Sequence, residues 1–171
     1  MTEAQWASLS CFKNRTTDSE GKPLVIADYS YLTMVFVNNL EARIGFPIQL
    51  IRGNHGPDGS AIDWCCLGVP YQRLIMEVIS LPLAVGFYSG LSVHTDSRPT
   101  VPYTRPARWL AVHEAEEDLL GDLKRLIYRR DAGWTYLVWS QAEGISFKAL
   151  QLVAELAETR RQRALSAQGG A

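Results

Sequence analysis

The chain has little of what usually marks a specialised class of protein. Its 171 residues include three cysteines, Cys11, Cys65 and Cys66, two of them adjacent. Neighbouring cysteines are badly placed to pair with each other and an odd total leaves one over, so no disulfide framework is expected. No Cys-x-x-Cys pair occurs, which excludes a cysteine-rich zinc knuckle. Charge of one sign is also lacking: 17 basic residues against 18 acidic ones give -1. Nucleic acid is therefore not an expected partner, and the late cluster Arg160, Arg161 and Arg163 reads as the solvated face of a helix. The longest apolar stretch, over residues 74–93, is broken by Glu77, Pro82, Gly86 and Gly90, which argues against a membrane span. The first residues have no charged start leading into an apolar run, so no signal peptide is expected and synthesis in the cytoplasm is. Neither an internal repeat nor a low-complexity block is visible before the small-residue tail at 166–171.

What remains is 47% hydrophobic and 20% charged, the make-up of a folded domain with its own core. Residues 1–27 read as an irregular arm. Over 29–43 the apolar Leu32, Val35, Phe36, Leu40 and Ile44 recur at helical spacing, with Asp28 placed to cap the start and Gly45 to end it. Strands are expected at 47–51, 61–66 and 83–88, with a helix at 71–79. In the next strand, 92–96, alternation puts Val93 and Thr95 on one side and Ser92, His94 and Asp96 on the other. A Pro-rich turn at 99–106 leads to 108–112, read as an edge strand. Helices are expected over 113–130, with Gly133 past its end, and over 146–164. Trp109, Trp134, Tyr136 and Trp139 read as packing between the core and those helices. The fold class is thus α+β: a small antiparallel sheet flanked by helices, with a C-terminal helical extension.

The chemistry-bearing residues are few. Of three histidines, His55 follows a strand in a Gly-rich loop, His94 lies mid-strand, and Asp63 sits on the strand between them. A catalytic zinc takes three nitrogen or oxygen ligands and keeps a fourth position open, and these three would suit one if their strands are neighbours. Spacing alone leaves open that His55 is a turn residue, Asp63 a local partner and His94 a histidine satisfied by the backbone. His113 opens a helix and is left outside the site.

Three stretches carry a family resemblance: 40–48, ending Gly45-Phe46-Pro47-Ile48; His55 through Gly59, Ala61 and Asp63; and Gly86-Phe87-Tyr88, then Val93-His94-Thr95-Asp96-Ser97-Arg98, then Arg108-Trp109. Together they resemble the zinc D-alanyl-D-alanine carboxypeptidases and related phage endolysins. The resemblance implies a metallopeptidase-like domain over 1–112, a helical extension over 113–171, and zinc held by His55, Asp63 and His94. It departs from the family in a His55–Asp63 interval one residue longer than usual, a shortened loop before His94, and Leu91 and Ser92 where many members carry the general base. Serine does not serve as a base at neutral pH. Asp96 and Asp58 are the candidates to replace it or to orient a metal histidine, and Arg52 is the candidate to hold a substrate carboxylate or to pair with an acid.

The function implied is hydrolysis of peptide bonds in peptidoglycan stem or cross-bridge peptides, as by a lysin. The competing expectation is a structural or assembly protein of a phage particle on the same fold, self-associating or meeting virion partners through its C-terminal helices.

Overall fold

A computed structural model of the chain describes residues 17–55, 59–97, 108–138 and 146–169, together with residue 4; of Asn54, His55 and Val138 it describes the backbone alone. The expectations placed on Cys11, Asp58, Arg98, Trp139 and the turn at 99–106 lie outside the described residues. The α+β class is as expected. Seven strands form one sheet in the order β1-β2-β4-β3-β5-β7-β6: β1 Gln49–His55, β2 Ala61–Cys65, β3 Ala84–Tyr88, β4 Val93–Asp96, β5 Arg108–His113, β6 Ile127–Asp131 and β7 Trp134–Val138. Neighbours are antiparallel except β3 and β5, which run parallel. Helices α1 Tyr31–Ile44, α2 Tyr71–Val78 and α3 Phe147–Gly169 complete the layer architecture with 3-10 turns at Ile26–Asp28 and Glu114–Leu126.

Period-two alternation divides the sheet into two chemically different faces. Leu50, Ile62, Trp64, Val93, Val85, Phe87, Leu110, Val112 and Leu137 join one buried cluster with Val37, Leu40 and Ile44 of α1, Leu74 and Val78 of α2, and Val153 and Ala157 of α3. Each fully buried aliphatic side chain of this kind contributes about 1.5–3 kcal/mol. Trp64 is fully buried, and its indole N–H is satisfied by Thr95 Oγ1 at 3.2 Å. The α3 face that meets this cluster is built from Ala149, Val153, Ala154 and Ala157, small residues that let the helix lie close to the sheet.

Several local expectations are corrected. Ser30, not Asp28, caps α1, its hydroxyl accepting from Thr33 N, while Gly45 ends the helix at φ 74°. The buried stripe of α1 is Thr33, Met34, Val37, Leu40 and Ile44, and Leu32 is exposed. The rotation follows from Thr33, whose hydroxyl donates to Gly59 O at 3.0 Å and meets Ser97 Oγ at 3.0 Å. Strand β5 is interior, between β3 and β7. Residues 113–130 do not form an α-helix: Gly121, at φ 53° and ψ -124°, breaks the segment into 3-10 pieces, and β6 follows. Gly133 turns the β6–β7 hairpin with φ 83°. The last helix runs on through most of the small-residue tail to Gly169. Among the described residues no helix is long and apolar enough to cross a membrane.

The arm from residue 17 covers one sheet edge. Asp18 accepts from Gly53 N at 3.1 Å and from Glu20 N and Lys22 N at 2.9 Å each, while Ser19 N donates to Ile51 O at 2.8 Å. Unpaired strand groups are satisfied there by the chain itself. At the opposite edge β6 carries Arg129, Arg130 and Asp131, charges that discourage further pairing.

Candidate metal centre

The second face of the sheet holds the polar residues. Cross-strand register places Arg52 opposite Asp63, Asp63 opposite His94, His94 opposite Gly86, and Gly86 opposite Trp109. Directly opposed residues on antiparallel strands have Cβ atoms about 4.5–5.5 Å apart, so an aspartate and a histidine in that relation can meet. They do: His94 Nδ1 lies 2.8 Å from Asp63 Oδ1, with side-chain exposures of 12% and 20%. Imidazole and carboxylate are both zinc donors. In the absence of an ion, the same contact orients the ring and leaves Nε2 as the second functional atom.

His55 is corrected from a loop residue to the last residue of β1. Bulges between Leu50 and Arg52 and between Arg52 and His55 carry the strand past Gly53, and its backbone pairs at Ala61, two residues from Asp63. The His55 side chain lies outside the described residues, and among the described residues no group of three or more histidine, cysteine, aspartate or glutamate side chains could hold a metal. Gly59, just before β2, is anchored against the turn at Asp28: its φ is 68°, and a Cβ there would stand 2.0 Å from Asp28 O. Ser30 N also donates to Gly59 O at 3.0 Å.

Asp96 faces the same side as His94, its backbone opposite Ala61 and Ala84, and is 2% exposed. Arg52 is on the sheet edge, half exposed, with Nε 3.5 Å from Glu20 Oε1. Alternation separates Arg108 from its neighbour Trp109. The Arg108 guanidinium donates to Ile79 O at 3.2 Å, Leu81 O at 2.6 Å and Leu83 O, clasping the loop before β3, and burial lowers its pKa. Cys66 is in the core, its thiol pushed up mainly by burial, whereas Cys65 meets Gln49.

The aromatic residues are also corrected. Trp109 does not lie between the core and α3 but on the face of Asp63 and His94, its ring centroid 5.0 Å from that of His94. Trp109 Nε1 is 3.4 Å from Tyr88 Oη, and Tyr88 packs edge-on against Trp134 and Tyr136 at 5.1 and 6.2 Å. Burial chiefly raises the Tyr88 pKa far above the ordinary phenol range, so it is a neutral hydroxyl beside the site. Sequence reasoning missed this flank of the site. The signal was there in Gly86, a glycine inside an apolar strand, which marks a close approach by another group.

Two surface grooves, one along α1 lined by Phe36, Leu40 and Leu81, the other between the 3-10 segment and α3, contain neither Asp63 nor His94. No family model, curated protein or solved structure matches the chain.

Proposed function

We propose that this protein is a zinc-dependent amide hydrolase acting on peptidoglycan stem or cross-bridge peptides, with His55, Asp63 and His94 as metal ligands. The observation that carries the reading is the 2.8 Å approach of His94 to Asp63 on neighbouring strands, supported by the position of His55 at the end of the strand paired with Asp63's own. When bound, zinc supplies a Lewis acid that polarises the scissile carbonyl and makes water nucleophilic near neutral pH. The chain's own groups do the rest. Asp96, at 2% exposure, is shielded from substrate, so its role in this reading is to orient the ligands from behind. Arg52 is exposed enough to exchange Glu20 for a substrate carboxylate, which a guanidinium holds in two parallel hydrogen bonds. The neutral Tyr88 hydroxyl is an uncharged donor on the same face.

The test is release of new amino groups from purified cell walls by the zinc-loaded protein. His94→Ala and Asp63→Asn are expected to abolish release while the far-ultraviolet circular dichroism is kept. Wild-type, zinc-loaded protein that leaves the walls untouched would sink the enzymatic reading.

A second reading, an assembly protein of a phage particle, would draw on exposed apolar side chains such as Leu119, Tyr128 and Phe147, 57%, 70% and 78% exposed, in a chain that also exposes Tyr31 and Met76 at 64% and 72%. It calls for association at micromolar concentration in sedimentation velocity, and a strict monomer would count against it.

A further inference from the structure

We propose that Trp109 is a positioning residue for the His94 imidazole, acting through the space that Gly86 leaves open between them. The inference rests on the assignment of His94 as a metal ligand.

His94, Gly86 and Trp109 stand in one row across β4, β3 and β5. Two inter-strand steps separate the outer members by about 9.6 Å of backbone, too far for most side chains to touch across a filled middle position. Gly86 leaves that position empty. A Cβ built there would fall 2.2 Å from both Cε2 and Nε1 of Trp109 and 2.6 Å from Cζ2, so the indole lies flat across the glycine. Its far side reaches the imidazole with ring centroids 5.0 Å apart and planes tilted by 48°. Asp63 holds the same ring through Nδ1. The imidazole is therefore held from two directions, by a carboxylate along the ring plane and by an indole against the ring.

Trp109 is itself fixed by its N–H to Tyr88 Oη, and Tyr88 by Trp134 and Tyr136. A mere core tryptophan would belong to the helix-packed cluster, but that cluster contains Trp64 and does not contain Trp109. Groups that orient a metal histidine without touching the ion commonly govern affinity by 10- to 100-fold, and this is the size of effect the arrangement calls for.

The test uses the full chain and cobalt(II) alone as probe, followed by visible absorption, in wild type, Trp109→Leu, Trp109→Phe and Gly86→Ala. Trp109→Leu and Gly86→Ala are expected to weaken cobalt(II) binding by about 10- to 100-fold and to alter its absorption bands, although neither residue is a ligand. Trp109→Phe, which keeps a ring against His94, recovers part of the affinity. Circular dichroism and thermal melting establish that each variant is folded; if Trp109→Leu does not fold, Trp109→Phe and Gly86→Ala carry the comparison. Folded variants with wild-type affinity and wild-type bands would overturn the proposal. Wild-type protein that takes up no cobalt or zinc would overturn the metal assignment instead. The positioning role is then decided by nitrogen-15 shifts of His94: one Nδ1-protonated tautomer in wild type and a mixture in the variants sustains it, and identical spectra refute it.

Discussion

Glu158→Gln is expected to destabilise the protein more than Arg161→Met, although both break the same ion pair. Arg161 is 7% exposed. Its Nε and Nη2 donate to the two Glu158 oxygens at 2.9 and 2.8 Å, and Nη1 donates to Leu67 O at 2.8 Å. Glu158 also accepts from Tyr71 N at 3.0 Å, which supplies α2 with the cap that Pro70 cannot provide. Neutralising Glu158 leaves a buried guanidinium facing an amide and a carbonyl, a loss of about 2–4 kcal/mol. Removing Arg161 leaves a carboxylate whose side chain is 32% exposed and which keeps Tyr71 N, at a cost of about 1–2 kcal/mol. Urea titrations at pH 7 with a common m-value measure both. A second arm uses pH. Arg161, foremost, holds the Glu158 carboxyl down from 4.5 to about 2. A depressed acid stabilises the fold above its unfolded value, and that contribution is lost as pH falls from about 4.5 toward about 2. For a shielded group the span is worth about 3 kcal/mol, and solvent at this exposure reduces it to about 1–2 kcal/mol. The stability gap between wild type and Arg161→Met should therefore close as pH falls from 5 to about 2.5. A gap that does not change with pH, or Arg161→Met proving the more damaging, would refute this account of how α3 is seated.

Asp18→Asn should release the arm from β1. Burial raises the Asp18 pKa, but backbone N–H groups of Gly53, Lys22 and Glu20 outweigh it, so the net shift is downward. Its stabilisation is present above about pH 3.9 and fades as pH falls below that. The substitution should cost about 1–3 kcal/mol and speed hydrogen exchange at Ser19 and Gly53; unchanged exchange would contradict it. Gly59→Ala combines positive φ with a Cβ 2.0 Å from Asp28 O. A loss of at least about 2 kcal/mol in a thermal melt is expected, and an unchanged melting temperature would count against the anchoring role given to this glycine.

Strong local patterns were legible in the sequence, and long-range competition decided the rest. The alternation around His94 put His94 and Asp96 on one face, and that face is the observed one. Leu119, Leu120, Leu123, Leu126 and Ile127 read as a helix, yet the positive φ of Gly121 and the tie of Glu117 to Arg130 and Thr135 make a 3-10 stretch folded onto a hairpin. That tie, led by the Arg130 hydrogen bonds, holds the Glu117 carboxyl near 2. Strand β6 has no apolar alternation to read because it is an edge strand. The end of β1 is hidden in the sequence because Arg52-Gly53-Asn54 has turn composition, while Asp18, 35 residues away along the chain, receives the Gly53 N–H and makes strand the better outcome there. The place of Trp109 is hidden for a related reason: its partner in the sheet, Gly86, identifies its neighbours only once register is known.

Elemental analysis of zinc content per chain, after stripping and reloading, is the decisive measurement for a site built from His55, Asp63 and His94. One zinc is expected in the wild type, and its loss in His55→Ala, Asp63→Ala and His94→Ala, each still folded by circular dichroism. Wild-type protein that retains no zinc, or a His55→Ala variant that binds it as tightly as wild type, would contradict the proposed metal centre.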